Sequence, residues 1–187
     1  MKNRKRNRLK GYDYSRDNLY FVTICVQDRV CCFGEIVASV DANRNVGAGR
    51  DVGAGRDLPV HYPDDPKMKL NSFGLIVQNQ LIWLENQYEY AVLHNFVVMP
   101  NHVHAIIEIN SLRVKGKEMK IKSLSSLMGA FKTTSSKLIH QSGFLDFSWQ
   151  RSFHDRIIRD EKAYTNISNY IEKNPKKWYV DSFYKKS

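Results

Sequence analysis

A chain of 187 residues with 42% hydrophobic and 12% aromatic residues is long enough to bury one substantial core and too short for two, so one domain spanning 1–187 is expected. Its formal charge of +10 at pH 7 points to a polyanionic partner, because Lys and Arg that displace counterions from phosphates supply most sequence-independent nucleic-acid affinity. No apolar stretch approaches the length that crosses a bilayer and no secretory signal is visible, while Cys25, Cys31 and Cys32 lack zinc or disulfide spacing. A cytoplasmic protein with reduced, packing thiols and no membrane partner is expected.

Six of the first ten residues are basic, Arg4, Lys5, Arg6 and Arg8 among them, and none is acidic; this arm can reach along a phosphate backbone or remain a solvated terminus. Residues 20–26, Tyr-Phe-Val-Thr-Ile-Cys-Val, are β-branched and aromatic and predict a buried strand. From about 38 to 69 the composition shifts: Val46 to Asp51 repeats at Val52 to Asp57, and Pro59, Pro63 and Pro66 follow. This is read as a Gly/Pro-rich loop insertion. Its Gly-Ala-Gly pairs lack the Lys-Ser/Thr continuation of a phosphate-binding loop.

Residues 72–86 predict an amphipathic helix, with Leu75, Ile76, Gln78, Leu81, Ile82 and Leu84 at mostly helical spacing and Ser72 as its cap. Residues 90–99 and 102–109 predict two strands joined at Pro100-Asn101 into a hairpin. A second helix is expected over 123–140, burying Leu124, Leu127, Met128, Phe131, Leu138 and Ile139 and leaving Lys132 and Lys137 outside. A third starts near Asp160, passes Tyr164, Ile167 and Ile171 to about Lys173, and is ended by Pro175. The pattern is α+β, with helices packed on a mainly antiparallel sheet.

Two short stretches carry chemistry. On a strand, His102 and His104 point to one face and Val103 and Ala105 to the other, so two imidazoles stand side by side and can share one metal ion. From spacing alone, a pair of exposed histidines on an edge strand is an equal reading. In Tyr170-Ile171-Glu172-Lys173-Asn174-Pro175, Tyr170 and Asn174 are four apart and share a helix face, where a phenol and an amide oxygen can meet a metal together or simply pack.

These motifs together resemble the single-tyrosine HUH transposases, specifically the REP-associated tyrosine transposases. His102-Val103-His104 corresponds to the family's pair of histidines around a bulky hydrophobic residue, after a strand ending in Val98-Met99-Pro100-Asn101. Residues 149–159 look like the family's downstream block, and Tyr170-Ile171-Glu172-Lys173-Asn174-Pro175 its nucleophile helix. The start through Asp13-Tyr14, the Phe-Val-Thr strand and the Lys132 helix also match, so the likeness covers most of the chain outside 38–69. The duplicated insertion departs from the pattern. The chain also ends soon after Trp178, so the longer C-terminal DNA-reading tail of some relatives is not expected.

The resemblance implies an HUH-nuclease, ferredoxin-like sandwich. It implies that Tyr170 attacks a phosphodiester of single-stranded or hairpin DNA and becomes linked to the 5′ phosphate, releasing a 3′ hydroxyl that can later rejoin strands. A divalent ion, Mg²⁺ or Mn²⁺, is expected on His102, His104 and Asn174; imidazoles also accept later transition metals. It is needed because an ordinary tyrosine, with a pKa of about 10, is a weak nucleophile at neutral pH. Arg4, Lys5, Arg6, Arg8, Lys132, Arg151, Arg156 and Arg159 are expected on DNA, and His154 and Asp155 as support for the site or the DNA. A monomer is favoured over a homodimer. The alternatives are a DNA-binding protein descended from a transposase that no longer cuts, and an unrelated metal-dependent hydrolase in which Tyr170 has no role.

Overall fold

A computed structural model describes residues 11–37, 65–114 and 120–184. The basic arm with Arg4, Lys5, Arg6 and Arg8, and the duplicated segment, lie outside the described residues.

The strands β1 (Asn18–Cys25), β4 (Ala91–Met99), β5 (His102–Ile109) and β6 (His154–Ile158) form one antiparallel sheet in the order β4-β5-β1-β6. Because directly paired residues share a face, the registers Thr23↔His104 and Cys25↔His102 put Phe21, Thr23 and Cys25 beside His102, His104 and Ile106. Tyr20, Val22 and Ile24 lie with Val103, Ala105 and Ile107 on the opposite face. That face carries the main core, covered by α1 (Ser72–Gln87) and α2 (Leu124–Gln141). The helix α3 (Glu161–Lys173) covers the histidine face through a smaller cluster of Ile106, Ile158, Ile167 and Ile171. The expected α+β sandwich is therefore present, with helices on both faces.

Several local expectations need correction. Helix α1 is capped by Asn71, whose side chain accepts from the Gly74 amide at 3.0 Å, rather than by Ser72. Its buried stripe is Gly74, Val77, Leu81 and Leu84, while Leu75 and Ile82 are exposed. Those two lie seven apart on one line of the helix, but it is the neighbouring line that meets α2 and the sheet. Gly74 is required because a Cβ there would stand 2.1 Å from the Phe33 carbonyl oxygen. Leu138 in α2 is likewise exposed, and Cys31 is exposed rather than packed.

Two short strands, β2 (Gly34–Val37) and β3 (Lys67–Leu70), pair antiparallel. The segment read as loop to 69 therefore ends in a strand. The sequence reading also lacks β6. It is an edge strand of five residues whose exposed alternate positions are the polar His154 and Arg156, so it lacks the apolar signature of a buried strand.

Candidate active site

The Pro100-Asn101 turn sets the start of β5. The Pro100 carbonyl accepts from the Cys32 and Phe33 amides at 2.9 and 3.1 Å, and the Asn101 carbonyl accepts from the Val26 amide at 2.9 Å. His102 and His104 follow at once, 0% and 1% exposed on a central strand. The reading of two exposed edge histidines is thereby excluded.

Each imidazole is held through Nδ1. Asn101 donates through Nδ2 to the carbonyls of Arg29 and Phe183 at 3.1 and 2.9 Å, which turns its Oδ1 toward His102 Nδ1 at 2.8 Å. An amide oxygen only accepts, so His102 Nδ1 carries the proton and its Nε2 keeps a lone pair. His104 Nδ1 meets the Thr23 hydroxyl at 2.8 Å. The two Nε2 atoms then face each other at 3.1 Å. Burial pushes the pKa of His102 well below its ordinary 6.5, helped by the neighbouring His104 and Arg29, and lowers that of His104 to about 3. Both rings are therefore neutral at physiological pH, which is the form that binds metal.

Helix α3 brings the other two residues. Asp160 caps it by accepting from the Ala163 amide at 2.7 Å, and Asn174 and Pro175 close it into the 3-10 turn Pro175–Val180. The Tyr170 hydroxyl reaches His104 Nε2 at 3.2 Å, with ring centroids 5.1 Å apart. Phe21 stacks on His104 and meets Tyr170 edge-on, so it fixes the angle between them. Burial raises the Tyr170 pKa above 10, Asp181 raises it further, and Asn174 opposes the shift. A β-bulge between Leu93 and Phe96 lets Asn95 donate to Ser168 O and Glu172 Oε1, both at 3.2 Å, bracketing Tyr170 along the helix.

Asn174 is 1% exposed. Its Nδ2 donates to Asp181 Oδ2 at 3.3 Å, whereas its Oδ1 is a buried acceptor with no hydrogen-bond partner. The amide lies close enough to His102 and Tyr170 to bear on the protonation of both. An unpartnered amide oxygen beside two neutral imidazoles whose Nε2 atoms face each other is a set of groups that can serve as ligands to a divalent ion. No group of three His, Cys, Asp or Glu fit for a metal occurs among the described residues. The third donor offered here is an amide. The residues fit a divalent ion on His102, His104 and Asn174.

The remaining predicted residues divide. His154 and Arg156 are exposed and share the histidine face, since His154 pairs with Thr23 and Arg156 with Phe21. Asp155 pairs with Val22 and so faces the other way, apart from the histidines. Arg151 and Arg159 are exposed at the two ends of β6. Lys132 is not an outward lysine: its Nζ donates to the Gln150 carbonyl at 2.8 Å and reaches those of Arg151 and Ser152 at 3.4 Å, organising the loop before β6.

Sequence reasoning misses Thr23, Asn101, Asp181, Phe183 and Trp178, whose ring centroid lies 6.0 Å from that of His102. Period-two alternation along the strand that pairs with His104 is a signal for Thr23, and Asn101 adjoins the motif. The Phe183 ring, 4.5 Å from His102, comes from a segment with no periodicity to read.

The family described as IS200-like transposases matches residues 77–174. A Haemophilus influenzae protein described only as uncharacterized is 30% identical over 97% of this chain and 93% of its own length. A solved structure of a REP-associated tyrosine transposase bound to a REP hairpin aligns with 95% of this chain and 74% of its own, at 18% identity and a TM-score of 0.51. At that identity it speaks for the fold.

Proposed function

The chain belongs to the IS200-like transposase family, with the transposase-like role in DNA processing that membership carries, and on that premise we propose that it is a metal-dependent endonuclease and strand transferase acting on single-stranded or hairpin DNA. The observation that carries the reading is the Tyr170 hydroxyl at 3.2 Å from His104 Nε2, beside the facing imidazoles and the unpartnered Asn174 Oδ1. The motifs shared with REP-associated transposases point to folded palindromic DNA as substrate.

In the proposed reaction the Tyr170 oxygen attacks phosphorus as its proton departs. The P–O3′ bond breaks, the 3′ oxygen takes up a proton, and a 5′-phosphotyrosine remains. The new ester conserves the energy of the old one, so a 3′ hydroxyl can reverse the step and join strands without ATP. Tyr170's raised pKa makes the unaided phenol a poor nucleophile, and two neutral histidines bring no charge to offset a phosphate. Mg²⁺ or Mn²⁺ on His102, His104 and Asn174 would supply that charge and polarise the phosphate. Phe21 packs edge-on against the phenol and Asn95 ties down the helix that carries it, while Asn101 and Thr23 hold the rings. Arg156 and His154, exposed on the same face, can meet the strand's phosphates.

The chain is proposed to work as one domain and as a monomer in the cytoplasm. In support of the monomer, Tyr170 meets His104 within one chain; no described helix is long and apolar enough to cross a membrane. The test is incubation with end-labelled hairpin DNAs and Mg²⁺ or Mn²⁺, followed by denaturing gels. A 5′-linked adduct that needs the ion and disappears in His102→Ala is expected. Tight, metal-independent binding with no adduct would favour the non-catalytic DNA-binding alternative.

A further inference from the structure

Behind the site, on the α2 side of the sheet, the second half of α2 and residues 147–151 enclose an open groove of about 660 Å³. Its lining includes Thr133, Ser136, Lys137, Gln141, Gln150 and Arg151 and, among the described residues, no carboxylate. A second hollow, at the β6 edge, differs: there Asp155 and Asp160 stand with Arg156 and Arg159, so acidic and basic groups are matched. The α2 groove thus offers hydroxyl, amide and cationic donors with no built-in anion to answer them, which is the chemistry of a phosphate backbone track. Lys137 and Arg151 are exposed, so their charges are available to a ligand.

The groove also leads to the right place. The Gln150 amide donates to the Cys25 carbonyl at 2.9 Å, Val26 bridges Trp149, and Cys25 is the register partner of His102. One end of the groove therefore lies, within the plane of the sheet, about two strand spacings, roughly 10 Å, from the His102 backbone. Lys132 secures that end by gathering the carbonyls of Gln150, Arg151 and Ser152.

We infer that this groove binds the sugar-phosphate backbone of the DNA flanking the cleaved position, with Lys137 and Arg151 as its principal phosphate ligands. The inference rests on the DNA-cutting reading for its substrate and adds a site to it. Salt dependence tests it, because each phosphate that is no longer neutralised by a cationic side chain flattens the slope of log K against log salt by about 0.7–0.9. Anisotropy titrations of a fluorescein-labelled hairpin with a single-stranded flank are run from about 50 to 200 mM salt. For Lys137→Gln/Arg151→Gln the slope should fall by about 1.4–1.8 and affinity at about 0.1 M salt by about tenfold. Lys137→Glu/Arg151→Glu should weaken binding further. Arg113→Gln/Lys120→Gln, at the other end of the sheet, removes the same charge and should change the slope by less than half as much.

An unchanged slope in the groove variants, or an equal change in the distant pair, would overturn the inference. The adduct assay on the wild type separates this from the premise. A flattened slope without any adduct keeps the groove and removes the nuclease; an adduct with an unchanged slope does the reverse.

Discussion

On the face covered by α1 and α2, the sheet buries Tyr20, Val22, Ile24, Val103, Ala105 and Ile107 in one large apolar cluster that also takes in Phe131 and Trp149. On the face covered by α3, four isoleucines suffice as the buried cluster, and the remaining area goes to His102, His104, Thr23 and Asn174. The same strands serve both faces with alternate residues. The contrast teaches where each property resides: stability rests on the first face, while the second buries imidazoles and an amide and, among the described residues, leaves two side-chain oxygens there without a partner, Ser168 Oγ and the Asn174 oxygen suited to a cation.

Substitutions can break this division, beginning with the largest effect. Tyr170→Phe removes one oxygen from a half-exposed helix position; adduct formation should fall by at least about 10⁴-fold, the scale of losing a nucleophile, with the thermal midpoint nearly unchanged. Phe131→Ala works on the other face and should cost about 3–5 kcal/mol of stability, read by urea unfolding. A reversed outcome, with Tyr170→Phe unfolding the chain, would merge the two faces into one.

Next comes pH. Unfolded histidines take up protons below about pH 6.5, while burial keeps His102 and His104 neutral in the fold. The unfolded state then binds more protons, so the full stability seen above about pH 6.5 is lost as pH falls from there toward about 3 for His104. The slope is at most about 1.4 kcal/mol per pH unit for each histidine. Urea midpoints in chelator should show it, and His104→Asn should flatten it. Phe131 variants should keep it.

The smallest effect expected is at Asn95. Replacing it with Ala removes two hydrogen bonds to α3, and a loss of about 1 kcal/mol in docking the helix should slow adduct formation severalfold with DNA affinity unchanged. An equal loss of affinity would make Asn95 a DNA-binding residue instead.

The face division is partly legible in the sequence. His102, His104 and Ile106 alternate with Val103 and Ala105, so period two separates chemistry from core before any coordinates, and Tyr170 with Asn174 follows from helical spacing. Helix cores are harder: Leu75, Ile82 and Leu138 are apolar yet exposed, because hydrophobic residues exceed what one stripe can bury. β6 escapes because an edge strand need not be apolar. The Asn101, Asp181 and Phe183 interactions join segments up to 82 residues apart, and no local pattern encodes such a meeting. Lys132 reads as a surface cation in the sequence. Only the fold shows the three carbonyls that claim it.

The central claim is that Tyr170 is the nucleophile in strand cleavage. It is tested most directly by trapping the protein on hairpin DNA with Mn²⁺, digesting both polymers and sequencing the nucleotide-bearing peptide by mass spectrometry. The tryptic peptide of residues 163–173 contains both Tyr164 and Tyr170, so fragmentation discriminates between them. The account predicts a 5′-phosphonucleotide on Tyr170 and on no other residue; a modification on Tyr164 or elsewhere in the chain would contradict it.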